Sequence, residues 1–354
     1  MDFLVKRDDL HEYEFIDVPA PDLDAGQALL GVSNFGLTSN NITYLVFGDA
    51  MNYWDFFPAQ EGWGRMPVWG FADVLDSKAE GVELGKRVYG YFPASSHLVV
   101  KPERAGAVGF LDSSEHRAKL PVIYNHYVFT DTDPNYEARY EDQQMLLRPL
   151  FATSFLLDDQ VADEDFFGAE TVVLSSASSK TALAAAFLIK RRGGPEVVGL
   201  TSPSRLGFVE GTGTYDRVLA YDDVSSLGEG PAVYLDFSND AGVRANVHGH
   251  YGEGVAHSFM IGATHWDKMP GGGEAPGPAP TFFFAPDRAA KRTSDWGGEG
   301  LRQRIADAWG PFVEWTGGWL EITHAEGPEA LERAYREMLD GEIDPAKGHV
   351  LSLA

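Results

Sequence analysis

Apolar and polar positions alternate over short stretches in the first third of the chain. Runs of four to about ten residues are separated by Gly and Pro, which mark turns. This punctuation is typical of short strands in a small barrel. The predicted strands occupy residues 27–32, 67–75, 81–91 (after a Gly turn) and 97–100.

In the middle of the chain the apolar residues follow a different pattern. Short, mostly apolar runs are typical of buried parallel strands, and longer runs of helix-forming residues separate some of them. Strands that alternate with helices predict crossover units and a parallel sheet. The predicted strands are residues 171–175, 196–200, 217–220, 232–237 and 256–261, and the predicted helices are 181–191 and 205–210.

The last part begins with a Pro- and Gly-rich stretch, residues 269–280. It is either a flexible surface loop or a mobile flap over an active site. After it we predict a strand (281–284), amphipathic helices (301–309 and 328–339) and a closing strand (349–353). The closing strand could rejoin the first domain.

Composition narrows the class of protein. A chain of 354 residues with 44% hydrophobic residues suits two folded domains and excludes general disorder. The formal net charge of -25 argues against binding to nucleic acids and to anionic membranes. With no cysteine, disulfides, thiol nucleophiles and sulfur-ligated zinc are excluded. No secretory signal or membrane span is visible, so we expect a cytoplasmic protein.

Residues 172–205 form a strand–turn–helix–turn–strand pattern of the length that binds dinucleotides. Unpaired amides at a helix N-terminus attract a pyrophosphate, and the turn before the helix must carry small side chains. The usual glycine fingerprint is missing. Serines that only cap a helix are the alternative. The residues in its place, predicted to contact a cofactor, are Ser176, Ala177, Ser178, Ser179, Lys180 and Thr181.

The end of the second strand of this unit indicates which dinucleotide binds. An NAD site places an acid there, whereas this chain has Thr201, Ser202, Ser204 and Arg205. Hydroxyls and a guanidinium suit the 2′-phosphate of NADP(H), because Arg binds phosphate through two parallel hydrogen bonds. An ordinary polar turn with a surface Arg is the alternative.

With these segments the chain resembles the medium-chain dehydrogenase/reductase superfamily. The resemblance is greatest to its zinc-lacking members, the quinone oxidoreductases and enoyl reductases. The likeness covers nearly the full length and is carried by particular segments. AGQALLGVSNFGLTSNNITY (25–44) resembles the family's strand and turn, and GVELGKRVYGYF (81–92) its Gly turn and strand. LRPLFATSFLLDDQ (147–160) resembles its helix into the cofactor domain, and TVVLSSASSKTALAAAFLIK (171–190) its cofactor-binding segment. RVLAYDD (217–223) and residues 328–353 resemble a later strand and the closing helix and strand.

The chain departs from the family pattern in features that bear on its mechanism. Serines replace the glycine fingerprint, Trp69-Gly70-Phe71 stands where the family has "G-H-E", and the zinc-binding cysteines are absent. A zinc alcohol-dehydrogenase mechanism is therefore excluded, and no metal is expected. The departures indicate a divergent branch.

The resemblance implies an α/β fold made of a GroES-like β-barrel domain and a Rossmann domain with a doubly wound parallel sheet. The barrel domain would comprise residues 1–147 with 319–354, and the Rossmann domain residues 148–318. The active site would lie in the cleft between them. The predicted cofactor-contacting set also includes Tyr221, Ser238, Gly262 and Ala263. The resemblance implies that the strand at 281–284 would form part of a homodimer interface. The alternative is that its side chains simply pack in the core.

Catalysis without a metal depends on hydride delivery and on a donor for the acceptor oxygen. Asn41 lies near a polar position of the family, and Tyr44 shares its face if the turn is helical. A second group, residues 121–130, places Tyr124 in an apolar run, where a polar group needs a partner or a ligand. We predict Tyr44, Asn41 and Tyr124 as catalytic residues. Tyrosines that merely pack in the barrel are the alternative, and a lone His such as His126 is more often structural.

Aromatic residues after Tyr44 predict an apolar substrate pocket suited to a bulky or aromatic ligand. A folded hydrophobic loop is the alternative. The predicted lining residues are Tyr53, Trp54, Trp69, Asn125, Tyr127 and Phe284. A metal cluster of His248, His250 and His257 is not expected, because their spacing is a weak signal.

The leading hypothesis is an NADP(H)-dependent, metal-free oxidoreductase that reduces an activated C=C bond or a quinone of a small-molecule substrate. A carbonyl or alcohol oxidoreductase with Tyr in place of zinc is the second. The third, from another class, is a noncatalytic ligand-binding protein on the same fold.

Overall fold

The structure is a computed structural model that describes residues 1–261 and 276–353. Contacts divide the chain into two compact units. Unit 1 comprises Met1–Leu146 and Glu321–Ala354, and unit 2 comprises Leu147–Leu320. Of the Pro- and Gly-rich stretch predicted as a loop or flap, residues 269–275 lie outside the described residues.

Unit 1 is built mainly from short strands whose Val, Phe, Tyr and Leu side chains pack well on a pleated surface. In chain order its first elements are β1 (Asp2–Lys6), β2 (Tyr13–Ile16), β3 (Ala28–Leu37), α1 (Ser39–Val46), β4 (Trp63–Arg65), β5 (Pro67–Ser77), β6 (Arg87–Pro93), β7 (His97–Val100), β8 (Pro102–Glu103), β9 (Gly109–Asp112) and β10 (His126–Phe129).

Strands alternate with helices in unit 2, as the sequence predicts. Its elements are α2 (Glu141–Asp163, which begins in unit 1), β11 (Thr171–Leu174), α3 (Lys180–Arg192), β12 (Glu196–Thr201), α4 (Leu206–Gly211), β13 (Arg217–Ala220), β14 (Ala232–Asp236), α5 (Ala241–Tyr251), β15 (Val255–Met260), β16 (Thr281–Phe282) and α6 (Ala285–Thr316). The chain then returns to unit 1 with β17 (Glu321–Glu326), α7 (Pro328–Leu339) and β18 (Lys347–Ser352).

The larger sheet of unit 1 has the order β17-β18-β3-β5-β6-β10-β9-β8, with β7 also paired to β3. A smaller sheet has the order β2-β1-β4. The closing strand β18 runs antiparallel to β3, with Val350 opposite Gly36. The prediction that the tail strand rejoins the first domain is therefore confirmed.

The sheet of unit 2 has the order β13-β12-β11-β14-β15-β16, and its paired strands are parallel. The chain builds outward from β11 to β13 and then crosses back to β14 on the other side of β11. Dinucleotide-binding sheets have this order, and their ligands bind where the order reverses, at the carboxyl ends of the strands. The predicted doubly wound sheet is confirmed.

Two elements of unit 2 differ from prediction. The strand expected at 281–284 ends at Phe282, because Phe284 is already the cap of α6. The helix expected at 301–309 is only part of α6, which spans Ala285–Thr316 and is interrupted at Gly297 with a φ of +75°. The helix is broken at this glycine and begins again after it. The sequence pattern therefore predicted only a part of the second half as a helix.

A left-handed turn precedes the first strand of the parallel sheet. Asp165, Phe166, Phe167 and Gly168 have φ values of 49°, 49°, 54° and 73°. Residues other than Gly pay about 1–2 kcal/mol each in this region. Packing offsets part of this cost, since the Phe167 ring stacks on His257 at 4.3 Å between ring centroids and Phe166 is 9% exposed. Nothing in the apolar pattern predicts this turn.

Within the described residues, no helix is long and apolar enough to cross a membrane.

A buried arginine ties together the segments that carry the aromatic core of unit 1. Arg117 is 1% exposed and forms an ion pair with Asp112 at 3.2 Å. Its Nε donates to the Phe56 carbonyl and its Nη1 to the Tyr127 hydroxyl, and the guanidinium lies 4.8 Å from the Phe57 ring. A charge buried this deeply is tolerated only when it is paired and hydrogen-bonded.

We therefore expect Arg117→Met to lower the free energy of unfolding by about 3 kcal/mol or more, because it leaves Asp112 buried without its cation. Chemical denaturation monitored by circular dichroism measures this change. Arg139→Met is the control, since Arg139 pairs with Glu137 at the surface, with a side chain 70% exposed. A loss with Arg117→Met no larger than that of the control would contradict the structural role assigned to Arg117.

Candidate functional site

The turn after β11 in unit 2 takes the shape that a phosphate-binding turn needs. Ser176 has a φ of +50°, in the left-handed region where glycine is usual. The Ser179 hydroxyl caps α3 by accepting from the Ala182 amide at 3.2 Å, and the Ser179 amide donates to the Ser176 carbonyl. The small side chains of this turn therefore precede the N-terminus of a helix, where a dinucleotide pyrophosphate binds in related sheets.

Tyr221, which follows β13, reaches back to this turn. Its hydroxyl accepts the Ser176 amide at 3.0 Å, and burial raises its pKa while the hydrogen bonds from Ser176 lower it. Two residues that were predicted separately as cofactor contacts are thus in direct contact. Tyr221 supports the left-handed conformation that Ser176 adopts in place of glycine.

The remaining residues of the predicted cofactor turn have different environments. Ala177 is fully buried and packs against Gly199, where an added Cβ would lie 2.9 Å from that of Ala177. Ser178, Lys180 and Thr181 are partly exposed, and the Thr181 carbonyl accepts from the Ser154 hydroxyl. The small side chain of Ala177 thus lets the turn pack closely on β12, and it does not face the solvent.

The end of β12 carries the hydroxyls and the guanidinium predicted for a 2′-phosphate. Thr201 is 1% exposed, whereas Ser202 and Ser204 have hydroxyls 3.2 Å apart in the turn Pro203–Arg205. Arg205, at the end of that turn, is partly exposed. The structure therefore brings Ser202, Ser204 and Arg205 together at the carboxyl edge of the sheet and leaves Thr201 in the core.

A buried carboxylate at the reversal of strand order was missed by the sequence reasoning. Asp236 ends β14 and is fully buried. Its Oδ1 accepts from the hydroxyls of Ser175 and Ser238, each at 2.9 Å, and its Oδ2 pairs with Arg244 at 3.0 Å. Since Ser175 follows β11, this network locks the carboxyl ends of β11 and β14 together. The signal in the sequence was an acid inside the apolar run AVYLDF, which must find partners if buried.

The same network uses the hydroxyl of Ser238, which was predicted to contact the cofactor. The amide of Ser238 also donates to the Ser175 hydroxyl at 3.0 Å, and Ser238 is 1% exposed. Ser238 lies where the strand order reverses, as predicted, but its amide and hydroxyl donate to Asp236. Gly262 and Ala263, the other predicted contacts on this side, lie outside the described residues.

In unit 1 the sequence-predicted aromatic residues meet in one place. We define the tyrosine cluster as Tyr44 (on α1), Tyr53 (in the turn Tyr53–Phe56), Tyr91 (on β6) and Tyr124 (in the turn Val122–Tyr124). The ring centroids lie 4.7 Å apart for Tyr44 and Tyr53, 4.8 Å for Tyr91 and Tyr124, and 5.7 Å for Tyr53 and Tyr124. Segments far apart in sequence thus place four phenol groups side by side.

The hydroxyl of Tyr44 is arranged to donate. It accepts the indole N–H of Trp69 at 3.1 Å, and Asn40 also hydrogen-bonds to it. Burial raises the pKa of Tyr44, the neighbouring Tyr53 raises it further, and the bonds from Trp69 and Asn40 lower it. Because its oxygen accepts from Trp69 and its pKa is raised, Tyr44 is neutral at ordinary pH and keeps its own proton to donate.

The other hydroxyls of the cluster differ in their partners. Those of Tyr53 and Tyr124 lie 3.3 Å apart and share one hydrogen bond. The hydroxyl of Tyr91 is buried and has no hydrogen-bond partner among the residues that the structure describes. Tyr91 was not predicted from the sequence, because its alternating strand GKRVYGYF gives no indication that this side chain faces other hydroxyls.

Asn41 shares the buried face of α1 with Tyr44, as expected for a helical turn. Its Oδ1 accepts from the Thr38 amide at 2.7 Å, and its Nδ2 donates to the Pro67 carbonyl at 2.8 Å. These bonds cap α1 and fix it on β5. The geometry thus gives Asn41 a structural part in holding Tyr44.

Three further residues of the predicted pocket lie in the core of unit 1. Trp54 is 1% exposed and packs on Gly48 and Gly64, where an added Cβ would fall within 1.9 Å and 2.1 Å of the indole. Tyr127 accepts from Arg117 and donates to the Tyr91 carbonyl at 2.8 Å, and the Asn125 amide donates to the Arg117 carbonyl at 3.2 Å. Tyr127 therefore holds the backbone of the tyrosine cluster at Tyr91, Asn125 holds Arg117, and Trp54 packs in the core.

Trp69 and Phe284 are the remaining predicted pocket residues. Trp69 is partly exposed, contacts Tyr44 through its N–H and stacks on Tyr89 with centroids 5.6 Å apart. Phe284 belongs to unit 2, is 37% exposed and stacks on Phe282 at 6.3 Å. Trp69 thus lies with the tyrosine cluster, whereas Phe284 lies beside the edge strand β16.

The three histidines considered for a metal have separate partners. His248 contacts the Pro276 carbonyl and the Ser258 hydroxyl, His250 the Gly228 carbonyl and His257 the Thr281 hydroxyl. Among the described residues, no group of His, Asp and Glu is arranged to hold a metal ion.

Comparison with solved structures identifies the architecture. CurA from Vibrio vulnificus, in complex with NADPH, aligns with a TM-score of 0.61 over 97% of this chain and 94% of its own at 13% identity. A mutant enoyl thioester reductase from Candida tropicalis gives 0.59 over 99% of both chains at 10% identity. A putative NADPH:quinone reductase from Mesorhizobium loti gives 0.59 over 96% of this chain and 90% of its own at 12% identity.

At these identities the similarity shows the fold alone, and it confirms the predicted α/β fold of a GroES-like barrel domain with a Rossmann domain. No curated protein matches the sequence significantly. The family profile described as "Protein of unknown function (DUF2855)" matches residues 35–344, and the chain belongs to that family.

Proposed function

We propose that the chain is an NADP(H)-dependent oxidoreductase that works without a metal. Its substrate is a bulky or aromatic small molecule with an activated C=C bond or a quinone ring. The observation that carries the proposal is the serine turn between β11 and α3, shaped by Ser176 and capped by Ser179, at the reversal point of a dinucleotide-type sheet. The neighbour CurA was solved with NADPH, which supports the same cofactor here.

The residues present fit NADP(H) better than NAD(H). Small side chains line the turn before α3, and Gly199 lets that turn approach β12. The stretch after β12 has no acid to hold a ribose 2′-hydroxyl, whereas Ser202, Ser204 and Arg205 offer donors to a 2′-phosphate. In this proposal the bound cofactor supplies a hydride, and the turn and Arg205 hold and orient it.

In this proposal unit 1 supplies the residues that contact the substrate, which accepts the hydride. As hydride arrives, negative charge develops on the acceptor oxygen, and a preorganised donor lowers the barrier. Tyr44 is our choice for that donor, because its oxygen already accepts from Trp69 and burial keeps the hydroxyl protonated by raising its pKa. Aromatic rings of the tyrosine cluster provide the apolar walls that a planar substrate needs.

The same donor would serve a carbonyl substrate. Reduction of a ketone or aldehyde also places charge on one oxygen, and Tyr44 would then take the part that zinc has in the metal-containing enzymes. A carbonyl reductase therefore remains the second candidate, favoured by the arrangement of Trp69 and Asn40 around Tyr44. Product analysis with an enone substrate distinguishes the two, since C=C reduction keeps the ketone.

We also propose that a second copy of the chain packs on the edge strand β16. Phe282 is 57% exposed and Phe284 37% exposed at this edge of the parallel sheet. Exposed apolar groups on an unpaired edge are a common basis for association.

Arg205→Ala should weaken NADPH binding by about tenfold or more, because a charge-assisted bond to phosphate is worth roughly 1.5–3 kcal/mol. NADH affinity should stay within about twofold of the wild type, since the two dinucleotides differ only in that phosphate. Fluorescence titration with both dinucleotides measures the preference. Arg191→Ala, which removes an exposed arginine at the other end of α3, is the charge-matched control. Failure of the wild-type protein to bind either dinucleotide would contradict the proposal and favour a noncatalytic ligand-binding protein.

Tyr44→Phe should lower kcat by about 10²–10³-fold, the usual cost of losing one oxyanion donor, with a small change in KM. Steady-state reduction of enones and quinones with NADPH measures it. NADPH affinity should be unchanged, because Tyr44 is not among the residues that we propose to contact the cofactor. Tyr140→Phe, which alters a partly exposed tyrosine of the same unit, is the control. If Tyr44→Phe keeps full kcat while the wild type is active, another group must provide the donor.

Phe282→Glu should shift a dimer toward the monomer, because a charge on the edge strand opposes apolar association. Sedimentation velocity over a range of concentrations measures the change. The control is Leu84→Glu, which places the same charge on an apolar residue of unit 1 that is 71% exposed. A wild-type protein that stays monomeric throughout, or a dimer equally affected by both substitutions, would rule out this surface.

A further inference from the structure

A small pocket opens on the surface of unit 1, and none of its lining residues belongs to the tyrosine cluster. Its volume of about 380 Å³ is at the lower end of the about 300–1,000 Å³ that small-molecule sites span. The pocket lies beside the antiparallel pair of β9 and β10 and the turn Val122–Tyr124. Its lining residues are Arg104, Phe110, Leu111, Val122, Ile123 and His126.

Two neighbouring apolar side chains of this pocket remain exposed. Val122 is 63% exposed and Ile123 is 54% exposed. Backbone hydrogen bonds fix the turn that carries them, since the Tyr124 amide donates to the Pro121 carbonyl at 3.1 Å and the Asn125 amide to the Val122 carbonyl at 3.0 Å. Single apolar groups scattered over a surface need no explanation, whereas apolar groups gathered beside a pocket mark a binding site.

The pocket uses the outer face of one end of the larger sheet. Leu111 and His126 lie opposite each other in β9 and β10, and both are half-buried, whereas their neighbours Phe110 and Tyr127 are buried. Successive side chains of a strand point to opposite faces, so Leu111 and His126 lie on the face away from the core. Since β8 is the last strand of the sheet order, this face lies at the end of the sheet.

Arg104 supplies a positive charge to this apolar surface. It is exposed and follows β8, and it forms no ion pair or hydrogen bond within the part of the chain that the structure describes. Its φ of +53° lies in the left-handed region, which residues other than Gly rarely adopt and which recurs at ligand sites. The guanidinium therefore lines the pocket with its donors available to a ligand.

The segment around the pocket differs in charge from the rest of this acidic chain. The whole chain has 28 Lys and Arg against 53 Asp and Glu, whereas residues 101–126 have four against three. Arg117 and Asp112 form a buried pair. The exposed charges of the segment are Lys101, Arg104 and Lys119 against Glu103 and Glu115. An anion that the rest of the surface repels can therefore approach here.

We propose that this pocket binds a small amphipathic anion, a carboxylate with a short alkyl chain that is dissolved as a single molecule. In this site the alkyl chain packs on Leu111, Val122 and Ile123. The carboxylate accepts from Arg104, because a guanidinium presents two parallel donors that match two carboxylate oxygens. The proposal goes beyond the proposed function and does not depend on it, since no lining residue is assigned to the cofactor or the substrate.

A matched pair of probes tests the class of ligand. Octanoate and 1-octanol have the same number of carbons, but only octanoate carries a charge. Isothermal titration calorimetry of the whole chain, without any cofactor, should show saturable binding of one octanoate. The affinity for octanoate should exceed that for octanol about tenfold, because only the carboxylate forms a charge-assisted hydrogen bond with Arg104.

Two substitutions test the location of the site. Arg104→Gln should bring the affinity for octanoate down to that for octanol, a loss of about tenfold. Ile123→Ser should weaken both probes about fivefold, because apolar area that the ligand covers is lost. Both side chains are exposed, so both variants should keep the wild-type unfolding transition.

Two controls make the same changes at exposed positions elsewhere in unit 1. Arg139→Gln alters a side chain that is 70% exposed, and Leu84→Ser alters one that is 71% exposed. Both should leave the affinity for octanoate within about twofold of the wild type, since surface substitutions away from a site have small effects. Octanoate should also slow amide hydrogen exchange in peptides that contain residues 104–111 and 122–126, and not at the exposed edge strand β16.

Several results would overturn the proposal. These are the absence of saturable octanoate binding, equal affinity of the wild type for octanoate and octanol, and octanoate binding that survives Arg104→Gln or Ile123→Ser. Sedimentation of the chain with vesicles of phosphatidylcholine and phosphatidylglycerol, reduced by the same two variants, would assign the surface to a membrane instead. None of these measurements requires NADPH or turnover, so a failure of this proposal is distinguishable from a failure of the proposed function.

Discussion

A buried charge must be paired, and this constraint organises both units of the chain. In unit 1 the guanidinium of Arg117 holds Asp112, the Phe56 carbonyl and the Tyr127 hydroxyl, which belong to different segments. In unit 2 the carboxylate of Asp236 holds Ser175, Ser238 and Arg244. Each buried charge thus determines where several loops and strand ends lie, and the candidate sites are built on those loops and ends.

The serine turn shows how a chain can replace glycine where the backbone must be left-handed. Ser176 carries a conformational cost of about 1–3 kcal/mol that glycine would avoid. The hydrogen bond from its amide to the Tyr221 hydroxyl and the helix cap by Ser179 offset part of that cost. The turn is therefore held by the hydroxyl groups of Tyr221 and Ser179, where other chains use glycine.

Much of this architecture could be predicted from the sequence. The apolar strands of unit 2 stand out because parallel strands are buried on both faces, and β13 and α7 have the predicted bounds. The tail strand followed from the apolar pattern at the end of the chain, and the resemblance agreed with it. Side-chain environments were harder, since the sequence does not show that Trp54 fits against two glycines or that Ala177 faces β12. Asp236 and Tyr91 were missed because their importance depends on neighbours that are distant in the chain.

The pairing of β18 with β3 has a consequence for how the protein is made. Unit 2 is continuous in sequence, whereas the larger sheet of unit 1 takes strands from both ends of the chain. During translation the strands of unit 1 leave the ribosome first, yet β3 lacks one of its neighbours until all of unit 2 has been synthesised. Domains generally fold as units during synthesis, and exposed strand edges are prone to aggregate. The larger sheet of unit 1 can therefore be completed only after unit 2 has been synthesised.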